Sequence, residues 1–145
     1  MDVSKIKKDS NVVAHVVKNF VDFKGDTHKI TIVAYNMFAL TERKYGNKNL
    51  IGIGVSIQHP KDEFIEILGI QRAVKNLLKK FSNNEFVPVI AGNFNFSSKF
   101  INDVLENEYN HIVENINAYI KGYSDAKKKF DAKRAKKDAE LIAEV

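Results

Sequence analysis

Apolar positions along the 145-residue chain change period several times. From Asn11 to Phe23 the run NVVAHVVKNFVDF is rich in Val, which favours a strand. Its apolar spacing at 12, 13, 16, 17, 20 and 21 also fits a helix. The strand reading is preferred because Lys24-Gly25-Asp26-Thr27 looks like a hairpin connection into HKITIVAYNMF, a clearer strand at 28–38. A polar stretch from Thr41 to Asn49 reads as a turn. It leads to a third strand, LIGIGVSIQ at 50–58, in which Gly52 and Gly54 share one face and let a neighbour pack close.

After His59-Pro60 the period switches. Phe64, Ile67, Leu68, Val74, Leu77, Leu78 and Phe81 recur at three- and four-residue spacing, which predicts an amphipathic helix of about 20 residues. Pro60 suits its first turn, His59 or Asp62 can cap it, and Asp62 and Glu63 complement its dipole. Gly69 and Ala73 would let it lie close on the strands. Ser82-Asn83-Asn84 ends it. Phe86 to Ala91 reads as a short fourth strand that Pro88 confines to an edge. Gly92-Asn93-Phe94-Asn95-Phe96 reads as a loop, and Ser97 or Ser98 can cap a second helix. That helix carries the strongest apolar stripe in the chain, from Phe100 to Ile120, and Gly122 closes or bends it. Beyond it lies a Lys/Ala-rich helical tail with a thin apolar stripe, too thin to support an isolated helix.

These elements predict an α+β fold: a small antiparallel sheet of three to four strands packed by one helix, with a helical C-terminal half. Residues 1–145 are expected to form a single domain, with sheet plus helix over 11–91 and C-terminal helices over 97–145.

Composition narrows the chemistry. The absence of cysteine excludes disulfide scaffolds, cysteine-ligated zinc and thiol nucleophiles. No apolar run approaches the length of a membrane span, and no secretory h-region follows the first lysines, so the expected location is the cytoplasm and no membrane partner is expected. The net charge of +5 divides into +2 over residues 1–120 and +3 over the tail. Of 23 basic residues only Arg43, Arg72 and Arg134 are Arg, and a protein that clamps phosphates bidentately relies on Arg. The many Lys and 15 Asn suggest an AT-rich coding genome, such as that of a phage or a low-GC bacterium.

A catalytic constellation is not found. His15, His28, His59 and His111 show no metal-ligand spacing, and no nucleophile elbow, Walker loop or dinucleotide fingerprint occurs. The reading is therefore of a non-enzyme, without metal or cofactor. Arg72 stands off the apolar stripe of its helix beside Lys75, Lys79 and Lys80. It either offers its fork to phosphate or carboxylate, or is a solvated ion-pair partner of Glu66 or Asp62. Asn93-Phe94-Asn95-Phe96 alternates amides and aromatics, which suits base stacking with edge recognition; the plainer alternative is a turn whose phenylalanines tuck into the core.

The stretch GIGVSIQHPKDEFIEILGIQRAVKNLLKKF, a strand running into HPKDEF and then a helix, follows two Val/Ile-rich strands. This arrangement, over roughly residues 28–81, resembles small phage-encoded proteins of the Thoeris anti-defence sponge family. The resemblance implies non-enzymatic capture of a cyclic ADP-ribose isomer or a cyclic oligonucleotide, in pockets between protomers of a homo-oligomer in the host cytoplasm. A ligand of that kind needs phosphate donors, a flat group for its base and amides to read its edge. The candidate ligand-binding residues are Arg72, Arg43, Lys44, His59, Lys61, Asn93, Phe94, Asn95 and Phe96, with helix starts near His59 and Ser97 as further donors. Two other classes compete. A calculated pI of 9.3 and the Lys clusters at 127–129 and 133–137 suit a nucleic-acid-binding module, although acids interrupt those runs. The C-terminal helices could equally serve a protein-binding inhibitor.

Overall fold

The computed structural model describes residues 9–38, 40–41, 50–85, 89–90 and 98–143. Four strands form one antiparallel sheet in the order β1-β2-β3-β4: β1 Val12–Val21, β2 Thr27–Asn36, β3 Leu50–Ile57 and β4 Val89–Ile90. The Val-rich run at 11–23 is thus a strand, as its propensity predicts. From Glu66 onward four helices are described: α1 Glu66–Ser82, α2 Ser98–Glu114, α3 Ile116–Tyr119 and α4 Tyr123–Ala143. The α+β architecture with a helical C-terminal half follows. Two compact units are distinguished, Met1–Asn110 and His111–Val145.

The β1–β2 connection shows how local chemistry sets the register. Gly25 adopts φ +85°, a conformation that favours glycine. Asp22 organises the rest: its Oδ1 accepts the backbone N–H groups of Lys24 at 2.9 Å and Asp26 at 3.0 Å, and its Oδ2 lies 2.8 Å from His28 Nε2. The strands then pair from Val21↔Thr27 to Ala14↔Ala34, beyond which one extra residue, Val13, makes a bulge before Val12↔Tyr35.

Strand alternation assigns the two faces of the sheet. Thr31, Val33 and Tyr35 lie opposite Ser56, Gly54 and Gly52 on one face. Helix α1 covers that face: Val33 and Tyr35 form a buried cluster with Met37, Leu50, Ile70, Ala73, Val74 and Leu77. Glycine permits the close approach, because a Cβ on Gly54 would overlap the Ala73 carbonyl and one on Gly69 would sit 2.6 Å from the Thr31 hydroxyl oxygen. The other face carries Ile30, Ile32 and Ala34, fully buried. Lys18, opposite Ile30 on that face, pairs with Glu106 of α2 at 2.9 Å, and Tyr109 donates its hydroxyl to the Asn19 carbonyl at 3.2 Å. From Ile30 to Tyr35, β2 is consequently buried on both faces.

Three boundaries differ from the sequence-based expectation. Helix α1 begins at Glu66, not near Pro60, and its N-cap Ile65 is extended (φ −123°, ψ 112°) with no side-chain capping bond, so neither His59 nor Asp62 caps it. Pro60 instead takes the second position of a turn closed by the Asp62 N–H and the His59 carbonyl at 3.0 Å, a place that suits its fixed φ as well as a helix start does. The second change is the break of the long stripe at Asn115, whose side-chain amide donates to the His111 carbonyl at 2.9 Å and competes with helix continuation. Gly122 follows α3 with φ +76°. Lastly, the second strand ends at Asn36 rather than 38: Phe38 and Leu40–Thr41 are helical, and the Asn36 side chain accepts the Phe38 N–H at 3.0 Å. The fourth strand is an edge strand, described at Val89–Ile90.

Candidate functional site

Where β3 leaves the sheet, residues 58–65 fold back toward the start of α1 and enclose a cleft of about 270 Å³. Gln58 holds this loop by donating its side-chain amide to the Glu63 carbonyl. Lys29 and Thr31 come from β2, Asp62, Glu63 and Phe64 from the loop, and Arg72 from the second turn of α1. Their backbone origins are well fixed, since the Ser56 hydroxyl donates to the Gly69 carbonyl at 2.8 Å and the Asn76 amide to the Val55 carbonyl at 2.9 Å.

Three properties set this cleft apart. Thr31 is 1% exposed, and its hydroxyl has no hydrogen-bond partner among the described residues. An unpaired buried hydroxyl costs about 1–3 kcal/mol, so its retention needs a reason. The first turn of α1 has no capping side chain, and since the Leu68 and Gly69 amides beside the cleft both donate to the Ile65 carbonyl at 3.1 Å, what the helix start offers an acceptor there is the positive end of its dipole. Charge is balanced: Lys29 and Arg72 supply two positive groups, Asp62 and Glu63 two negative ones. The Lys29 ammonium also stands 5.8 Å from the centre of the half-buried Phe64 ring. Donors for an anion, acceptors for hydroxyl groups and an aromatic face therefore converge on one small space.

Another cleft, of about 680 Å³, runs between β1 and the opposite flank of α1. Its two facing ionisable groups pair with each other, His15 Nε2 lying 2.6 Å from Glu66 Oε1, and Asp9 at its rim accepts the Tyr35 hydroxyl at 2.9 Å. No group of three His, Asp or Glu side chains able to hold a metal ion occurs among the described residues.

Of the residues singled out in the sequence, Arg72 lies in the cleft, exposed and without an ion pair among the described residues; Glu66 pairs with His15 instead. His59 and Lys61 lie together in the turn before it, the Lys61 N–H donating to His59 Nδ1 at 3.2 Å, and neither is part of the cleft wall. Arg43, Lys44, Asn93, Phe94, Asn95 and Phe96 lie outside the described residues. Sequence reasoning missed Lys29 and Thr31, because a Thr in a Val/Ile strand is ordinary and only the register reveals that it faces Gly69. Phe64 is indistinguishable in the sequence from the apolar helix positions that follow it, so its place in the cleft carries no signal either.

No helix among the described residues is long and apolar enough to cross a membrane. Comparison with known proteins finds no family model, no curated protein and no solved structure that matches this chain.

Proposed function

We propose that the chain is a phage counter-defence protein that sequesters a small nucleotide-derived immune signal, of the cyclic ADP-ribose or cyclic oligonucleotide type, without cleaving it. The observation that carries this reading is the unpartnered Thr31 hydroxyl, buried in a cleft that also presents Arg72, Lys29 and the Phe64 ring. Arg72 and the uncapped start of α1 suit a phosphate, Asp62 and Glu63 suit ribose hydroxyls, and Phe64 suits the flat face of a base. The protein would act as a homo-oligomer in the host cytoplasm, by stoichiometric capture.

The test is to incubate the full chain with cyclic ADP-ribose isomers and cyclic di- and trinucleotides, remove free ligand, heat the protein and analyse what is released by mass spectrometry. Intact ligand is expected from the wild type, and at least tenfold less from Arg72→Gln. Failure to retain any of these ligands, or release of a hydrolysed product, defeats the proposal.

A further inference from the structure

The cleft does not end at Arg72. Ser56, Ile57 and Arg72 also form the near wall of a second lobe of about 630 Å³, which continues along α1 beside β3. Its far wall is built by Lys75, Asn76 and Lys79. Positions 72, 75, 76 and 79 follow the three- and four-residue spacing of one helical face, so these side chains form a single stripe. The two lobes differ sharply in charge. The first balances Lys29 and Arg72 against Asp62 and Glu63, whereas the second has Arg72, Lys75 and Lys79 and no carboxylate. None of these three cations forms an ion pair among the described residues.

We infer that the second lobe is an anion subsite in which Lys75 and Lys79 hold the second phosphate of a nucleotide ligand. This inference rests on the nucleotide reading of the first lobe. The neutral lobe takes the uncharged nucleoside portion, where Phe64 and the two carboxylates are found. Arg72, at the junction, takes the first phosphate. Lys75 and Lys79 are then surplus to a monophosphate and complement a second one, and Asn76 is already held by the Val55 carbonyl, which fixes the wall between them. From Arg72 to Lys79 the helix advances about 10 Å, enough for a chain of phosphates or for two phosphates joined through a sugar. Lysine suits this lobe because point charges on flexible stems accept phosphates in more than one arrangement.

The experiment measures binding of the mono- and diphosphates of the four ribonucleosides, and of inorganic phosphate and pyrophosphate, to the full chain by titration calorimetry. Wild type is compared with Lys75→Gln/Lys79→Gln and with Phe64→Ala. The expected result is a diphosphate bound at least tenfold more tightly than its monophosphate. The double variant should lose that gain, leave monophosphate affinity within twofold, and show a shallower salt dependence. Equal affinity for mono- and diphosphate, or a gain that survives in the double variant, overturns the second subsite while leaving the nucleotide reading intact. Pyrophosphate that binds through Lys75 and Lys79 with no contribution from a nucleoside or from Phe64 supports the anion lobe and removes the nucleotide. Binding of none of these probes overturns the inference.

Discussion

Gly54→Ala is the most direct test of how α1 is seated. An added Cβ would overlap the Ala73 carbonyl oxygen and come within 2.8 Å of its carbonyl carbon and 3.0 Å of a Val33 methyl. The main obstacle is backbone within the helix, so no side chain can rotate away, and α1 must lift from β3. Overpacking of this kind costs about 1–3 kcal/mol, and the rigid obstacle places the estimate near the upper end, at about 3 kcal/mol. Unfolding entropy of about 2.1 cal/mol/K per residue gives roughly 0.23 kcal/mol/K for a unit the size of Met1–Asn110, so the melting temperature should fall by roughly 13 °C. Gly25→Ala is the comparison: a Cβ there meets nothing within 4 Å, and only the positive φ opposes it, at a cost of about 1–2 kcal/mol. Thermal melts followed by far-UV circular dichroism measure both. If Gly54→Ala melts at or above Gly25→Ala, the close contact between β3 and α1 is refuted.

Other outcomes follow from the same structure. Thr31→Val removes an unpaired buried hydroxyl and should raise the melting temperature of the ligand-free protein by a few degrees, about 1 kcal/mol after the crowding against Gly69, while weakening binding of the proposed nucleotide several-fold in calorimetry; a fall in both would mean that the hydroxyl is paired in the free protein. At Asp22, burial opposes ionisation, but the bonds from His28, Asp26 and Lys24 and the nearby His28 charge outweigh it and hold the carboxyl below its usual 3.8. The unfolded chain therefore binds this proton first, and the contribution is complete above about pH 4 and lost as the pH falls through the lower folded value. Acid titration of Asp22→Asn should show less loss of stability in that range than the wild type, and the variant should be about 2 kcal/mol less stable at pH 7. Removing residues 123–145 separates two roles for α4, which has no buried residue: loss of native oligomer mass would assign assembly to that helix, and loss of a salt-sensitive DNA shift would assign nucleic-acid binding to it.

The strands and helices were legible where one physical rule dominated. Val and Ile content with period two located β2 and β3, and the three- and four-residue recurrence from Ile67 to Phe81 located α1. Boundaries failed where a residue serves two roles equally well. Pro60 fits a helix start and a turn, Phe64 continues the helical spacing although it precedes the helix, and Asn115 is compatible with a helix until its side chain claims the His111 carbonyl. At the candidate site, Arg72 was legible because a lone Arg off an apolar stripe is unusual. Thr31 and Lys29 were not, since they meet Arg72 only where α1 packs across the paired strands β2 and β3, a tertiary arrangement that no local pattern encodes.

The contacts on β1 have a consequence for how the protein accumulates. An edge strand with free backbone groups templates pairing with other chains. Here Val13 bulges out of the ladder, the charged Lys18 stands within the strand against Glu106, and Tyr109 occupies the Asn19 carbonyl. Such an edge resists intermolecular sheet growth even though Val13 and Val21 are exposed. A blunted edge lets the concentration of the protein rise without the chain condensing onto itself.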